Sequence, residues 1–244
     1  MAEVEREIET DVVFPLIRGR EVGRWYTNRE SYIVLGQNIS NPSKAIPLNA
    51  FQNKFPKAAS YFSIFEEQLR RRNGYIKYLE PTGEPFYAVY DVGKYTFAPY
   101  KVIWKYIAEE LTCAVLSPQS DKVLGEKIII PDHRLIMISL DNEIESHYVC
   151  AVLNSAISRF VVYGYVISTQ IAPHVLENIS VPQYDQTNEI HLSLARLSIK
   201  CHEKTAAGID VSDLEEQIDN LSADLWGLTK QELIEIKESL QEMK

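Results

Sequence analysis

The sequence has no glycine-rich phosphate loop, no paired-cysteine motif and no long apolar run. Its 10 glycines among 244 residues fall in no Gly-x-Gly-x-x-Gly or P-loop arrangement, which excludes nucleotide folds built on such loops. No serine sits in a Gly-x-Ser-x-Gly elbow, so hydrolase chemistry of that kind is excluded too. Proline never follows proline, and Asn41-Pro42-Ser43 is therefore a loop rather than a catalytic Asn-Pro-Pro-aromatic segment. The three cysteines, Cys113, Cys150 and Cys201, are far apart with no Cys-x-x-Cys pair. That pattern points to reduced, buried thiols in a cytoplasmic protein and away from a zinc knuckle. His147 with Cys150 and Cys201 with His202 are two half-pairs, read as core packing. No apolar stretch reaches the roughly 18 residues that cross a bilayer, and the acidic leader from Glu3 to Asp11 is no signal peptide. No membrane partner is expected.

Basic charge is scarce overall, with 25 Lys and Arg against 34 Asp and Glu. It is concentrated. Residues 12–107 hold 14 Lys and Arg against 7 acidic residues (net +7), while residues 108–244 hold 10 against 22 (net −12). A basic first half joined to an acidic second half says more about partners than the whole-chain balance of −9. The basic half opens with Phe14-Pro15-Leu16-Ile17-Arg18-Gly19-Arg20-Glu21-Val22-Gly23-Arg24-Trp25-Tyr26. Arginines on a glycine-bearing backbone suit an anionic ligand, since the guanidinium fork fits a phosphate or a guanine edge. A surface turn with salt-bridged arginines explains the same residues.

Along the chain, Ser31–Leu35 reads as a short buried strand and 36–57 as a polar loop. Helical spacing of Tyr61 or Phe62, Phe65 and Leu69 predicts a helix over 58–72, ending in Arg70, Arg71 and Arg72, with Asn73-Gly74 as its stop. Those arginines serve either as helix-end caps paired to Glu66 and Glu67 or as phosphate contacts. Between Pro85 and Tyr106 two β-rich segments flank a turn near Gly93. Alternation there puts Lys101, Ile103 and Lys105 on one strand face and Val102, Trp104 and Tyr106 on the other, a half-buried strand with a basic outer face. Strands follow within 127–140. Asp141 then caps a helix reaching about Tyr163, with Val149, Leu153, Ile157 and Phe160 as its apolar stripe. Pro173 opens a short helix, and another runs from about Glu189 to Thr205. Ser212-x-x-Glu215 and Thr229-x-x-Glu232 are capping boxes that open the two arms of an acidic helical hairpin divided by Gly227. Such a hairpin docks on its own body or on a partner domain. The expected class is α+β: a mixed β-sheet domain with packed helices over 12–185, then a helical segment over 186–244.

A metal-dependent nuclease would need an acid followed by a carboxylate-x-Lys pair. Asp132 offers the first, but Glu235-Ile236-Lys237 and Glu242-Met243-Lys244 lie on the tail helix, where residues two apart do not converge. The chain reads as a binder.

Several segments, in order, resemble the C-terminal target recognition domain of TaqI-class adenine-N6 DNA methyltransferases and fused type IIG restriction–modification enzymes. They are Pro15 to Val22 with Arg24-Trp25-Tyr26; Gln68 to Arg72; Pro85-Phe86-Tyr87 through Tyr100 to Trp104; and Ile130-Pro131-Asp132-His133. They continue with His147 to Ser155, Ser168 to Ile171 leading to Ile179 to Pro182, and Ala223 to Thr229. The resemblance implies sequence-specific binding of double-stranded DNA on behalf of a methyltransferase catalytic domain, in cis or in trans. That domain would bind S-adenosylmethionine and hold the flipped adenine. The chain would then be a C-terminal fragment or a separately encoded specificity piece, with no catalytic residue and no cofactor of its own. Arg18, Arg20, Arg24, Lys94, Lys101 and Lys105 are the expected DNA-facing residues, with Arg70, Arg71 and Arg72 as second choices. Trp25 and Trp104 are assigned to the core, and His147, Asn154 and Ser155 to holding the fold. The alternative is a protein-interaction scaffold that works through the acidic hairpin and keeps its arginines for structure.

Overall fold

Phe51 stacks on Tyr87 at 4.7 Å, and Tyr87 stacks on Phe62 at 5.3 Å, in an apolar core of the first unit. The computed structural model describes residues 4–166 and 169–243, and the chain divides into two units interleaved in sequence. The first comprises residues up to 16, 30–98 and 118–130; the second comprises 17–29, 99–117 and 131 onward.

The strands are β1 (Val13–Ile17), β2 (Val22–Gly23), β3 (Tyr26–Thr27), β4 (Ser31–Val34), β5 (Tyr100–Lys105), β6 (Cys113–Leu116), β7 (Gln119–Asp121), β8 (Gly125–Lys127), β9 (Ile130–Pro131) and β10 (Leu135–Leu140). The helices are α1 (Leu48–Lys54), α2 (Pro56–Ile64), α3 (Glu66–Arg70), α4 (Glu143–Asn154), α5 (Ala156–Tyr165), α6 (Pro173–Leu176), α7 (Glu189–Ala206), α8 (Ser212–Trp226) and α9 (Lys230–Glu242). With antiparallel sheets and packed helices, the class is α+β.

In the first unit β1 pairs antiparallel with β4, Val13 opposite Val34. β4 is half-exposed rather than buried, and the hydroxyl of its exposed Tyr32 donates to Asp121 at 2.6 Å. The expected loop over 36–57 contains α1, because Phe51 and Phe55, four apart, both bury and draw the intervening turn into a helix. The helix expected over 58–72 breaks at Phe65, where the chain tightens and the Phe65 amide donates back to Phe62. Gly74 is no stop. It is right-handed helical, the chain coils on through Thr82, and Gly83 at φ +76° ends it. Phe86, Tyr87 and Ala88 are buried but form no strand. One nitrogen of the Arg72 guanidinium donates to the Phe86 and Ala88 carbonyls at 2.7 and 2.8 Å, bonds a neighbouring strand would otherwise have made.

In the second unit the sheet order is β10–β5–β6, all antiparallel, with Trp104 opposite Ile136 and Cys113. α4 lies on β5 and β6, and α7 packs along α4. Trp25, Val102, Trp104, Tyr148, Leu153 and Leu194 belong to one core. Trp25 and Trp104 are core residues, each 2 % exposed. The N-cap expected at Asp141 falls one residue later. Asn142 is its cap, with Oδ1 accepting from the Glu145 amide at 3.0 Å. It also divides at Ser155, whose extended backbone ends α4 and whose hydroxyl caps α5. Asn154 grips the edge of β6, accepting from the Cys113 amide at 2.8 Å and donating to its carbonyl at 2.9 Å. His147 bonds the Ser198 hydroxyl of α7 at 3.0 Å, and burial pushes its pKa down to about 3. These three residues hold the fold.

The C-terminal hairpin packs within its own unit. Leu214, Ile218, Leu233 and Leu240 are buried, and Gly227 at φ +68° turns the chain between α8 and α9. Thr229 and Glu232 form the expected capping box. Ser212 and Glu215 do not, because the Glu215 carboxylate is engaged elsewhere and the Ser212 hydroxyl turns back to Asp210.

Candidate nucleic-acid interface

The Arg-Gly-Arg segment folds as a single 3-10 turn, Gly19–Glu21, whose geometry is set by a buried acid. Glu21 is 5 % exposed; its carboxylate accepts from the Arg18 amide at 2.9 Å and lies 3.7 Å from Arg20 Nε. A local carboxylate thus fixes the turn while the Arg18 and Arg20 side chains stay exposed. Gly19 needs neither a left-handed backbone nor an unusual approach: a Cβ there would meet Arg134 Cβ at 3.5 Å, an ordinary contact. The left-handed residue is Trp25, at φ +59° in the two-residue turn joining β2 to β3.

Beside this turn the second unit has a groove of about 660 Å³ lined by Gly19, Arg20, Lys105, Tyr106, Ile107, His133 and Arg134. Three segments build it. β5 delivers Lys105 at its last position. The 131–135 turn delivers His133 and Arg134, held by Asp132 Oδ1 accepting from the Arg134 amide at 2.9 Å and by the Asp132 amide donating to Ile17. The Tyr106 amide donates to the Arg134 carbonyl at 2.9 Å, tying the two walls together. Two arginines, a lysine and a histidine therefore line one groove, the arrangement that suits a polyanion.

Two of the expected DNA-facing residues, Arg20 and Lys105, meet there. Others are placed differently. Arg24 turns inward, its Nη1 3.1 Å from Glu215 Oε1 and its Nη2 3.9 Å from Glu110; Arg159, whose pKa burial lowers, bonds Glu110 at 2.7 Å. Lys101 is fully buried, so the basic outer face expected of β5 does not form: both faces of this central strand are covered from Lys101 to Trp104. Desolvation lowers the Lys101 ammonium to about 8.

In the first unit Arg70 and Arg71 pair with Glu66 and Glu67 one helical turn back, at 2.7 and 2.5 Å, and keep substantial exposure. Arg72 is turned in toward backbone carbonyls, and Lys94 is exposed at the start of a 3-10 turn.

Sequence reasoning missed Arg134, Tyr106 and Ile107, and gave His133 no ligand role. The only available signal was Pro131-Asp132-His133-Arg134, a turn sequence that puts two cationic side chains outside a strand. Asp132, the acid a nuclease would require, serves as a turn cap. Lys237 of the tail helix pairs with Glu216 and Asp219. Among the described residues, no group of three or more His, Cys, Asp or Glu side chains could hold a metal ion, and no helix is long and apolar enough to cross a membrane. Ser168 of the family pattern lies outside the described residues.

No protein-family profile matches the chain. A stretch of 157 residues is 26 % identical to the Type II methyltransferase M.NspV of Nostoc sp.; the match takes in 63 % of this chain and 29 % of that protein. The chain thus spans less than a third of that relative's length, and its sequence supports a protein related to type II methyltransferases.

Proposed function

We propose that this chain is the sequence-specific, double-stranded DNA-binding recognition part of an adenine-N6 methyltransferase of a type II or IIG restriction–modification system. The observation that carries the reading is the groove lined by Arg20, Lys105, His133 and Arg134, in a chain similar to a type II methyltransferase. Lys and Arg neutralise phosphates and displace counterions, and Arg is the commonest reader of guanine in the major groove. Residues 12–185 carry recognition in this reading and 186–244 support it. Methyl transfer and S-adenosylmethionine binding belong to a catalytic domain supplied in cis or in trans. Exposed Arg18, Arg70, Arg71 and Lys94 contribute phosphate contacts, whereas Arg24, Arg72 and Lys101 support the fold from inside.

The scaffold reading needs an apolar or acidic hairpin face left for a partner. Leu214, Ile218, Leu233 and Leu240 are buried in the chain's own body, so most of the hairpin's apolar stripe is not available to a partner.

Gel-shift titration of random-sequence 30-base-pair duplexes, repeated over a salt series, tests the proposal. Binding whose log affinity falls linearly with log salt is expected. No binding at low salt, or binding indifferent to salt, overturns it. A charge reversal at Arg18 and Arg20 that leaves DNA binding intact while abolishing association with a methyltransferase domain favours the scaffold.

A further inference from the structure

Among the described residues Ile107 is the one aliphatic side chain lining the cationic groove, and it is 64 % exposed. Isolated exposed apolar residues are common on protein surfaces and need no explanation. This one differs in how it is held. The amide before it, on Tyr106, donates to Arg134 at 2.9 Å; the amide after it, on Ala108, donates to Thr169 at 2.9 Å. The Tyr106 carbonyl accepts from Ile171 at 2.7 Å, Ile107 itself forms a β-bridge with Gln170, and the Tyr106 hydroxyl donates to Gln170 at 3.1 Å. The backbone on either side is thus pinned, and a β-branched side chain with little freedom at χ1 is held out at a groove that Arg20, Lys105 and Arg134 also line.

Resting on the DNA-binding reading above, we infer that Ile107 is a specificity-determining residue that packs against the C5-methyl group of a thymine in the major groove. The chemistry favours that ligand over the alternatives. In the major groove the thymine methyl is the apolar feature that marks an A·T pair, and aliphatic side chains read it by contact. Lys105 and Arg134, lining the same groove, supply the phosphate or guanine contacts that bring a base edge to it. A rigid apolar contact flanked by cations separates a thymine from a cytosine at the same position without making a hydrogen bond.

The test compares two pools of random-sequence duplexes, one made with thymidine and one with deoxyuridine, which lacks only that methyl. The full 244-residue chain selects from each pool, and the bound fraction is sequenced. The native chain is expected to enrich A·T at one position in the thymidine pool and to lose that preference by about fourfold in the deoxyuridine pool, the worth of one buried methyl. Ile107→Ala is expected to show the weakened preference in both pools with enrichment elsewhere unchanged. Lys105→Ala is expected to weaken all binding alike and keep the preference. Enrichment that is the same in both pools overturns the inference and leaves the DNA-binding reading standing, as a wedge inserted between bases would. No enrichment or binding in either pool overturns both.

Discussion

The Trp25 indole Nε1 donates to Glu215 Oε1 at 2.7 Å, joining residues 190 apart in the sequence. The same carboxylate oxygen lies 3.1 Å from Arg24 Nη1. One acid of α8 thus holds both turn residues of the β2–β3 hairpin, including the left-handed Trp25. A non-glycine residue in that region carries a cost of order 1–3 kcal/mol that the surroundings must offset. Glu215→Ala is expected to destabilise the chain by about 2 kcal/mol, as for loss of a charged hydrogen-bond acceptor. Glu215→Gln can still accept from the indole and is expected to cost about half as much. Urea unfolding followed by near-ultraviolet circular dichroism checks both; equal losses would show that the indole bond contributes nothing.

The inward and outward arginines separate by what their removal changes. Arg20→Ala, Lys105→Ala and Arg134→Ala are each expected to reduce the slope of log affinity against log salt by about 1 while leaving stability nearly unaltered. Arg24→Ala and Arg72→Ala are expected to lower stability by roughly 1–3 kcal/mol, because the first removes the charge pairing to Glu215 and Glu110 and the second leaves the Phe86 and Ala88 carbonyls without their side-chain donor. Their effect on the salt slope is expected to be nil. A change in slope for Arg24→Ala at unchanged stability would place it on the DNA.

Lys101 links stability to alkaline pH. Its native pKa is near 8 against an ordinary 10.5 because burial disfavours the ammonium. Below pH 8 both native and unfolded chains carry the proton. Between pH 8 and 10.5 the unfolded chain keeps it while the native one has released it, so this group makes stability rise with pH across that window. The full rise is roughly 3 kcal/mol. Unfolding free energies of native chain and Lys101→Met, measured at pH 7 and pH 10, isolate the contribution from thiols and tyrosines that titrate in the same range. Parallel profiles would contradict it.

Gly36 lies against the Tyr87 ring, where an added Cβ would come within 2.5 Å of Cδ2 and 2.7 Å of Cε2. That ring packs against both Phe51 and Phe62 and its hydroxyl donates to the Ile46 carbonyl, so it cannot easily retreat. Gly36→Ala is expected to cost about 2 kcal/mol, an overpacking penalty. Thermal unfolding measures it. At Gly19 a Cβ makes ordinary contact with Arg134, and alanine there is expected to be neutral; a large loss at Gly19 with none at Gly36 would reverse the assignment.

The amphipathic helices α7, α8 and α9, the Thr229 cap, the Gly227 turn and the burial of Trp25 and Trp104 were legible in the sequence. A 3.6-residue apolar stripe and a capping pair are local patterns, and local patterns fix helices. The charge division between the two halves was equally plain from composition. Tertiary structure alone decided which cations face out. Alternation along β5 distinguishes two faces but not how many of them are covered, and here both are, so Lys101 is inside. Arg24 and Arg72 turn inward toward Glu215 and toward the Phe86 and Ala88 carbonyls, partners supplied from distant residues or from a bend no periodicity announces. The groove's membership was hidden for the same reason. Arg20, Lys105 and Arg134 are separated by long stretches of chain, and only the β10–β5 pairing, with Leu135 opposite Lys105, and the Asp132 amide's bond to Ile17 bring them to one surface.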